Sequence, residues 1–466
     1  MKKVLMVVLL VMAVVIGVGI FFLNSALITG SGSSSKYLCS QVFLADRNPE
    51  LVFKNDVLPT HPLFRFITNA VDRNKKTVTA TAFGFLSKAT AIYREGCGCT
   101  VLVNTLHEDL LEQSRTLKPK SERASNEIWP NGEVVDFGDI PQNVDQARLM
   151  AVIEEAFEEP GPDTMRNTQA VIVVYRDKII AEKYEAQFSH KTPMLGWSMT
   201  KSITNALIGI LVGKGKLDIM QPAPVEAWQT PGDARGAITL DQMLRMSSGL
   251  EFEEVYAPFK DATQMLYKSK SMADFAAAKP LGAKPDEEWY YSSGTTNILA
   301  RIVRDTVGGS LPAVINFAQR ELFDRINMYS AIIEADASGT LVGSSYMFAT
   351  ARDWARFGVF IKNDGVWKGV RILPEGWVRY SLTPTPHAPK GQYGAQFWLN
   401  AGRKDGLEDA LFPSLPKDMA YLGGFNFLIV AIIPSRDIVI VRLGVTHDDS
   451  WSHEAFIGNV LACIKE

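Results

Sequence analysis

The chain has 466 residues, 47% of them hydrophobic and 21% charged, with a formal net charge of −3 at pH 7. That length allows one large or two smaller domains with a substantial core, and the composition excludes a disordered chain. Mild acidity and the lack of any long basic run argue against a nucleic-acid partner.

The first element in the chain is apolar. Lys2 and Lys3 precede a nearly unbroken hydrophobic run from Val4 to Leu23, and about 20 such residues span the hydrocarbon core of a bilayer. A cleavable signal has a shorter apolar region of ~7–15 residues. The run therefore predicts a transmembrane signal anchor at 4–23, with late cleavage at Ser25-Ala26 and secretion as the alternative. The two lysines favour a cytoplasmic tail at 1–3, which exports everything beyond a Gly/Ser-rich linker at 24–37.

Export permits disulfides. The cysteines are Cys39, Cys97, Cys99 and Cys463. A bridge from Cys39 to Cys99 or Cys97 would staple the N-terminal segment down. A Cys-x-Cys pair with only scattered histidines is poor support for zinc, which wants four ligands at recognisable spacing, so no metal is expected. Cys463 lies in an apolar helical pattern and reads as core.

Residues 38–144 show mixed strand and turn signals, including the alternating Thr77–Ala82, and are expected to pack on a catalytic domain at 145–466. That domain opens with a helical pattern from Asp145 to Phe157, followed by a hairpin from Gln169 to Tyr184 around Arg176-Asp177-Lys178. Next, Gly196-Trp197-Ser198-Met199-Thr200-Lys201 opens a buried helix through Ile203, Leu207, Ile210 and Leu211, closed by Gly213 and Gly215. Thr239-Leu240-Asp241-Gln242 is a capping box, with a stop expected at Gly249. A helical pattern follows Trp289-Tyr290-Tyr291-Ser292-Ser293-Gly294. The strands Phe427–Ile433 and Ile438–Leu443 flank a Pro434 turn, and a helix covers Ala455–Ile464. Strands early and late with helices between predict an α+β fold, in which one antiparallel sheet is built from both chain ends and carries a helical insertion.

Chemistry concentrates at Ser198 and Lys201. Residues i and i+3 share a helix face, so the amine can reach the hydroxyl, and the helix N-terminus adds partial positive charge where an oxyanion would form. The same spacing recurs at Ser33 and Lys36, in the expected linker, and at Ser414 and Lys417, where Pro416 opposes a helical turn. Burial beneath the helix would strip water from Lys201 and make the neutral amine accessible as a base. The Tyr291 phenol could relay a proton to a leaving group.

Together these residues resemble the class C-like branch of the serine beta-lactamase and penicillin-binding family, and more closely its bacterial esterases and 6-aminohexanoate-dimer hydrolases. Trp197-Ser198-Met199-Thr200-Lys201-Ser202 matches the nucleophile motif, and Tyr291-Ser292-Ser293 the second motif. Met246-Ser247-Ser248-Gly249-Leu250, Thr350-Ala351-Arg352-Asp353-Trp354 and the Pro434 turn are similar to supporting stretches. The resemblance covers roughly residues 145–466. It implies a beta-lactamase/transpeptidase-like fold and an acyl-enzyme on Ser198, with Lys201 and Tyr291 exchanging protons. It further implies an oxyanion hole from the backbone of Ser198 and Leu428, substrate contacts at Ser293, Phe425, Asn426 and Phe427, and no cofactor. With the anchor, it places the domain on the periplasmic side of a bacterial inner membrane.

The third motif departs from the family. Counting back from Pro434 sets Gly424-Phe425-Asn426-Phe427-Leu428 against a Gly-His-x-Gly-Gln-like run expected on the strand edging the site. Phe427 then replaces a glycine that lets substrate lie against the backbone, and Phe425 removes a polar group. This predicts a narrowed cleft and a small apolar ester or amide substrate rather than a beta-lactam. A cell-wall D,D-peptidase, or a non-catalytic scaffold of the same fold, are the alternatives. His447 and His453 lie near the end of the last strand, where they could approach a site. No nucleophile elbow, His-Glu-x-x-His, Walker loop or dinucleotide fingerprint is present.

Overall fold

The computed structural model describes residues 2–117, 126–161, 164–403 and 409–465. The elements that matter are helix α1 (Lys2–Phe43), strands β1 (Ile67–Asp72), β2 (Thr77–Ala82), β3 (Leu86–Arg94) and β4 (Gly98–Val101), then α2 (Gln146–Ala156), β5 (Thr168–Tyr175) and β6 (Lys178–Tyr184). They continue with α3 (Thr200–Gly213), α4 (Ser293–Thr306), α5 (Ala351–Lys362), β7 (Trp398–Leu399), β8 (Ala420–Gly424), β9 (Leu428–Ile433), β10 (Ile438–Gly444) and α6 (His453–Leu461).

A six-stranded antiparallel sheet in the order β7-β8-β9-β10-β5-β6 joins the two ends of residues 145–466, as the strand pattern implies. Arg176 and Asp177 both take positive φ in the β5–β6 hairpin, the backbone a two-residue turn between twisted strands requires. Every residue of β5, β9 and β10 is buried, because helices cover both faces of the sheet. Period-2 alternation divides these strands between two cores. Ile172, Val174, Val430 and Val439 belong to the core shared with α3 and α5. Val171, Val173, Ile429 and Ile440 pack on the other face against Leu149 and Ile153 of α2 and Phe456 and Ile457 of α6.

Several expectations need correction. The helix opened by the Thr239 capping box ends at Leu244, well before Gly249. Gly249 is instead required by its φ of +74° and by the Ala283 carbonyl, which a Cβ would strike. The last helix starts at His453, capped by Ser452, rather than at Ala455. The segment 24–37 is no linker: α1 runs unbroken from Lys2 to Phe43, and Ser31, Ser34 and Ser35 are buried. Weak helix propensity is overridden by packing, since small side chains let α1 lie close to its neighbours. A Cβ on Gly32 would already press on Tyr267.

The N-terminal end of α1 is exposed at Met6, Leu10, Val15 and Phe21, and α1 is long and apolar enough to cross a membrane. Its second half packs on the antiparallel meander β1–β4. Cys39 on α1 is bonded to Cys99 on β4, while Cys97 and Cys463 are buried free thiols.

Beside that bridge, Glu334, fully buried, is ion-paired with Lys36. It also accepts hydrogen bonds from Ser40 Oγ at 2.8 Å and from the Cys99 backbone N–H at 2.6 Å. A side chain at Gly98 would overlap the Glu334 carboxylate. Lys36 therefore serves this pair and not Ser33. Removing one member of a buried ion pair costs about 3–5 kcal/mol, because the other is left charged and unpaired. Glu334→Ala should lower the thermal unfolding midpoint accordingly, and a midpoint equal to wild type would show that Lys36 finds another partner.

Candidate active site

Ser198 sits in a 3₁₀ turn, Trp197–Met199, that runs directly into α3. The turn is held by close approaches that only glycine permits. A Cβ at Gly196 would overlap the Trp354 ring, and one at Gly424, the end of β8, would lie 2.5 Å from the Gly196 carbonyl oxygen. Trp197 is forced to a φ of +46°, a strained backbone for an aromatic residue. Its ring is wedged between Tyr37, stacked at 6.3 Å, and Phe425, edge-on at 5.8 Å.

Lys201, one turn on, is 1% exposed. Its Nζ lies 3.1 Å from Ser198 Oγ, 3.0 Å from Ser293 Oγ and 3.0 Å from the Ser344 carbonyl. Burial lowers its pKa to about 8, the nearby Glu254 carboxylate opposing that shift in part. The partners decide how a neutral amine would be oriented. The Ser344 carbonyl can only accept. The Ser293 hydroxyl donates to Glu254 at 2.5 Å, so it too must accept from Lys201. Two N–H groups are thereby spoken for, and the remaining lone pair faces the Ser198 hydroxyl, which can donate to it. The Ser344 carbonyl reaches this position because Gly343 lets its loop approach Thr204 and Ala300, which any side chain there would strike.

Tyr291 completes the cluster, its ring 4.6 Å below the Lys201 amine and stacked on Trp398 at 5.2 Å. Burial, then the Glu254 charge, raise its pKa, with an interaction with the Ser198 hydroxyl pulling the other way. It is therefore a neutral phenol at physiological pH, able to pass a proton but not poised to remove one. Ser292 caps α4 by accepting from the Thr295 N–H, which sets Tyr291 and Ser293 on either side of the helix start.

Ser198 and Tyr291 line an open cleft of about 590 Å³ together with Glu254, Tyr256, Trp398, Tyr421 and the segment Gly423–Leu428. Phe425, Asn426, Phe427 and Leu428 all border it, as do His447 and His453. Ser293 does not contact substrate space: it is wholly buried, linking Lys201 to Glu254.

The third motif also needs correction. Residues 425–427 form the turn between β8 and β9 rather than a strand edge, and Asn426 and Phe427 have φ of +63° and +61°. A glycine at 427 would serve the turn conformation first. The Phe427 ring leaves towards His453, 5.8 Å away, and Phe425 packs on Tyr256 at 4.9 Å. With both rings in place the cleft keeps its volume. His453 is held neutral, its pKa lowered to about 3 by burial and by Arg442, and its Nδ1 accepts from the Trp451 indole. Glu254 went unread because Glu251-Phe252-Glu253-Glu254 has the look of a solvated charged stretch; only the fold turns one of its carboxylates inward.

The Beta-lactamase family model matches residues 153–453, which include Ser198, Lys201, Tyr291 and the β8–β9 hairpin. The 6-aminohexanoate-dimer hydrolase of Paenarthrobacter ureafaciens is 25% identical over 309 residues, 61% of this chain and 74% of that protein. A Bacillus anthracis structure described as a 6-aminohexanoate-dimer hydrolase superposes with a TM-score of 0.53 at 22% identity, over 64% of this chain and 78% of its own. A family VIII carboxylesterase gives 0.53 at 13% identity, over 70% and 98%. At those identities the two structures speak to the fold alone.

If Lys201 is the base, it acts only after losing its proton. The kcat/KM for an activated ester should then rise with pH around a midpoint near 8. Glu254→Gln removes the carboxylate that favours the ammonium form, so its midpoint should move to lower pH. A profile without this rising step would exclude Lys201 as the base.

Proposed function

The chain belongs to the beta-lactamase family of serine hydrolases, acting on esters and amides, and from that premise we propose that it cleaves small apolar members of those classes through an acyl-enzyme on Ser198. The observation that carries this reading is the Lys201 amine, 3.1 Å from Ser198 Oγ, desolvated, and with its other donors committed to Ser293 and Ser344.

In the first half-reaction Ser198 Oγ attacks the carbonyl carbon while its proton passes to Lys201. The oxyanion forms beside the backbone N–H groups of Ser198 and Leu428, both on the cleft wall. As the tetrahedral intermediate collapses, the bond to the alcohol or amine breaks, and that group takes the proton from Lys201 by way of the Tyr291 phenol. Water then attacks the acyl-serine, giving its proton to the same amine, and the acid leaves as Ser198 regains its hydrogen.

Substrate charge is constrained as well. Among the described residues the cleft wall carries Glu254, Asp448 and Asp449 and neither lysine nor arginine. A substrate carboxylate, as in penicillins and cell-wall peptides, would meet no cation there. That favours a neutral ester or amide over the D,D-peptidase reading, and the open cleft at Ser198 favours an enzyme over a scaffold.

We place the protein in a membrane through α1, with the catalytic part exported. Support comes from the apolar run after Lys2 and Lys3 and from the Cys39–Cys99 bridge, which belongs to an oxidising compartment.

A fluorophosphonate should add once to the native protein and not to Ser198→Ala, read by intact mass. Lys201→Ala should retain the fold and lose about 10²–10⁴-fold in kcat/KM. Equal labelling of native protein and Ser198→Ala would refute the assignment.

A further inference from the structure

A second void of about 170 Å³ adjoins the catalytic cleft. Thr60, Tyr256, Phe425 and Asn426 line both, so the Tyr256 and Phe425 rings, tilted against each other at 4.9 Å, stand at the boundary where the two spaces meet. One side of this chamber is α1 itself. Ala26, Gly30, Ser33 and Tyr37 lie on one stripe of the helix at i, i+4, i+7 and i+11 and all face the chamber. At 1.5 Å per residue that stripe is roughly 16 Å long. Its inner end is Tyr37, stacked on Trp197 next to the nucleophile. Its outer end, Ala26, follows closely on Leu23, the last residue of the apolar run. Leu63, Phe64, Ile67 and Pro258 supply more apolar wall. The acidic member, Asp56, is neutralised by Arg47 and accepts a hydrogen bond from the Tyr37 hydroxyl at 3.0 Å.

A second observation concerns the surface where α1 leaves the folded part. Phe22, Phe66, Phe83, Phe85 and Phe259 are all exposed there, Phe85 by 77%. Phe22 packs edge-on against Phe259 at 5.3 Å, and Phe66 lies tilted on Phe83 at 4.9 Å. Ser87 Oγ donates to Asn24 Oδ1 at 2.7 Å, tying the hairpin that bears Phe83 and Phe85 to the helix at the end of the apolar run. Aromatic side chains gathered at the end of a membrane span are suited to the bilayer interface.

We infer that the chamber holds the linear apolar acyl chain of an amphiphilic ester or amide, delivered from the bilayer along α1 so that its carbonyl reaches Ser198. This rests on the hydrolase reading above and deepens it. The bonds are those of that reaction: Ser198 Oγ bonds to the acyl carbon, the polar head departs with the proton held by Lys201, and water releases the fatty acid.

The test uses the full chain in detergent with p-nitrophenyl esters from acetyl to octanoyl. The kcat/KM should climb with acyl length, with roughly fourfold per methylene, the transfer value of a buried methylene, as the upper limit. A side chain at Gly30 would point towards Phe64 and Ile67, whose nearest atoms are 3.9 Å from its Cβ. Gly30→Leu should therefore flatten the climb, as should Ala26→Phe nearer the entrance, with unfolding midpoints recorded for both. A flat series on native protein that still takes fluorophosphonate at Ser198 overturns the chamber assignment. Failure of that labelling overturns the proposed hydrolase function instead. For the route, a dodecanoyl ester is held in phosphatidylcholine vesicles, with the enzyme in the same vesicles or in separate ones. Delivery from the bilayer requires faster hydrolysis in the shared vesicles; equal rates would mean the chain arrives through water, and would overturn the bilayer route.

Discussion

A lysine with almost no access to water is the constraint on which the site depends. An ammonium in such a place is costly unless it is paired, and among the described residues Lys201 has no carboxylate in direct contact. Its three neighbours are two hydroxyls and a carbonyl, and Glu254 stands one residue further out, behind Ser293. This arrangement neutralises the amine only partly, leaving its pKa at about 8 rather than at the value of a solvated lysine. A direct salt bridge would have held the ammonium form. Burial and distance from the acid thus together set the charge of the amine.

Backbone approach, more than side-chain chemistry, brings the parts together. Gly196 admits the Trp354 ring, Gly424 brings the end of β8 against the Ser198 turn, and Gly343 lets the Ser344 carbonyl reach Lys201. Each contact joins segments far apart in the chain. The strain at Trp197, with φ at +46°, persists because Tyr37, Tyr346 and Phe425 surround its ring and leave no other arrangement.

The N-terminal part is bound into the same structure. Lys36, Ser40 and Cys99 converge on Glu334, the Cys39–Cys99 bridge lies alongside, and Tyr37 of α1 touches Trp197, the residue before Ser198. A helix whose first half is dressed for lipid and whose second half is buried in protein couples the position of the site to the plane of any membrane that α1 enters.

Local pattern was enough for much of this. The Ser198–Lys201 spacing, the Arg176-Asp177 turn, the Thr239 capping box and the two late strands depend on contacts within a few residues, and the side chains that make them adjoin in sequence. Tyr291 was legible through resemblance to a family motif. The Ser/Gly stretch misled because composition reports intrinsic propensity, and burial against Tyr267 and the meander outweighs propensity once the chain is folded. Phe427 was read as an obstruction because its backbone conformation is not visible in sequence. Sequence leaves Glu254 unassigned and sets Ser293 at the substrate for the same kind of reason. Whether a carboxylate faces water or a buried lysine, and whether a hydroxyl faces substrate or a proton network, depends on segments that meet only in three dimensions. The sequence by itself determined the spacing of Ser198 and Lys201 and the strands that frame them; the tertiary structure alone decided which polar groups surround the Lys201 amine, because desolvation is a property of the assembled interior and not of any stretch of chain.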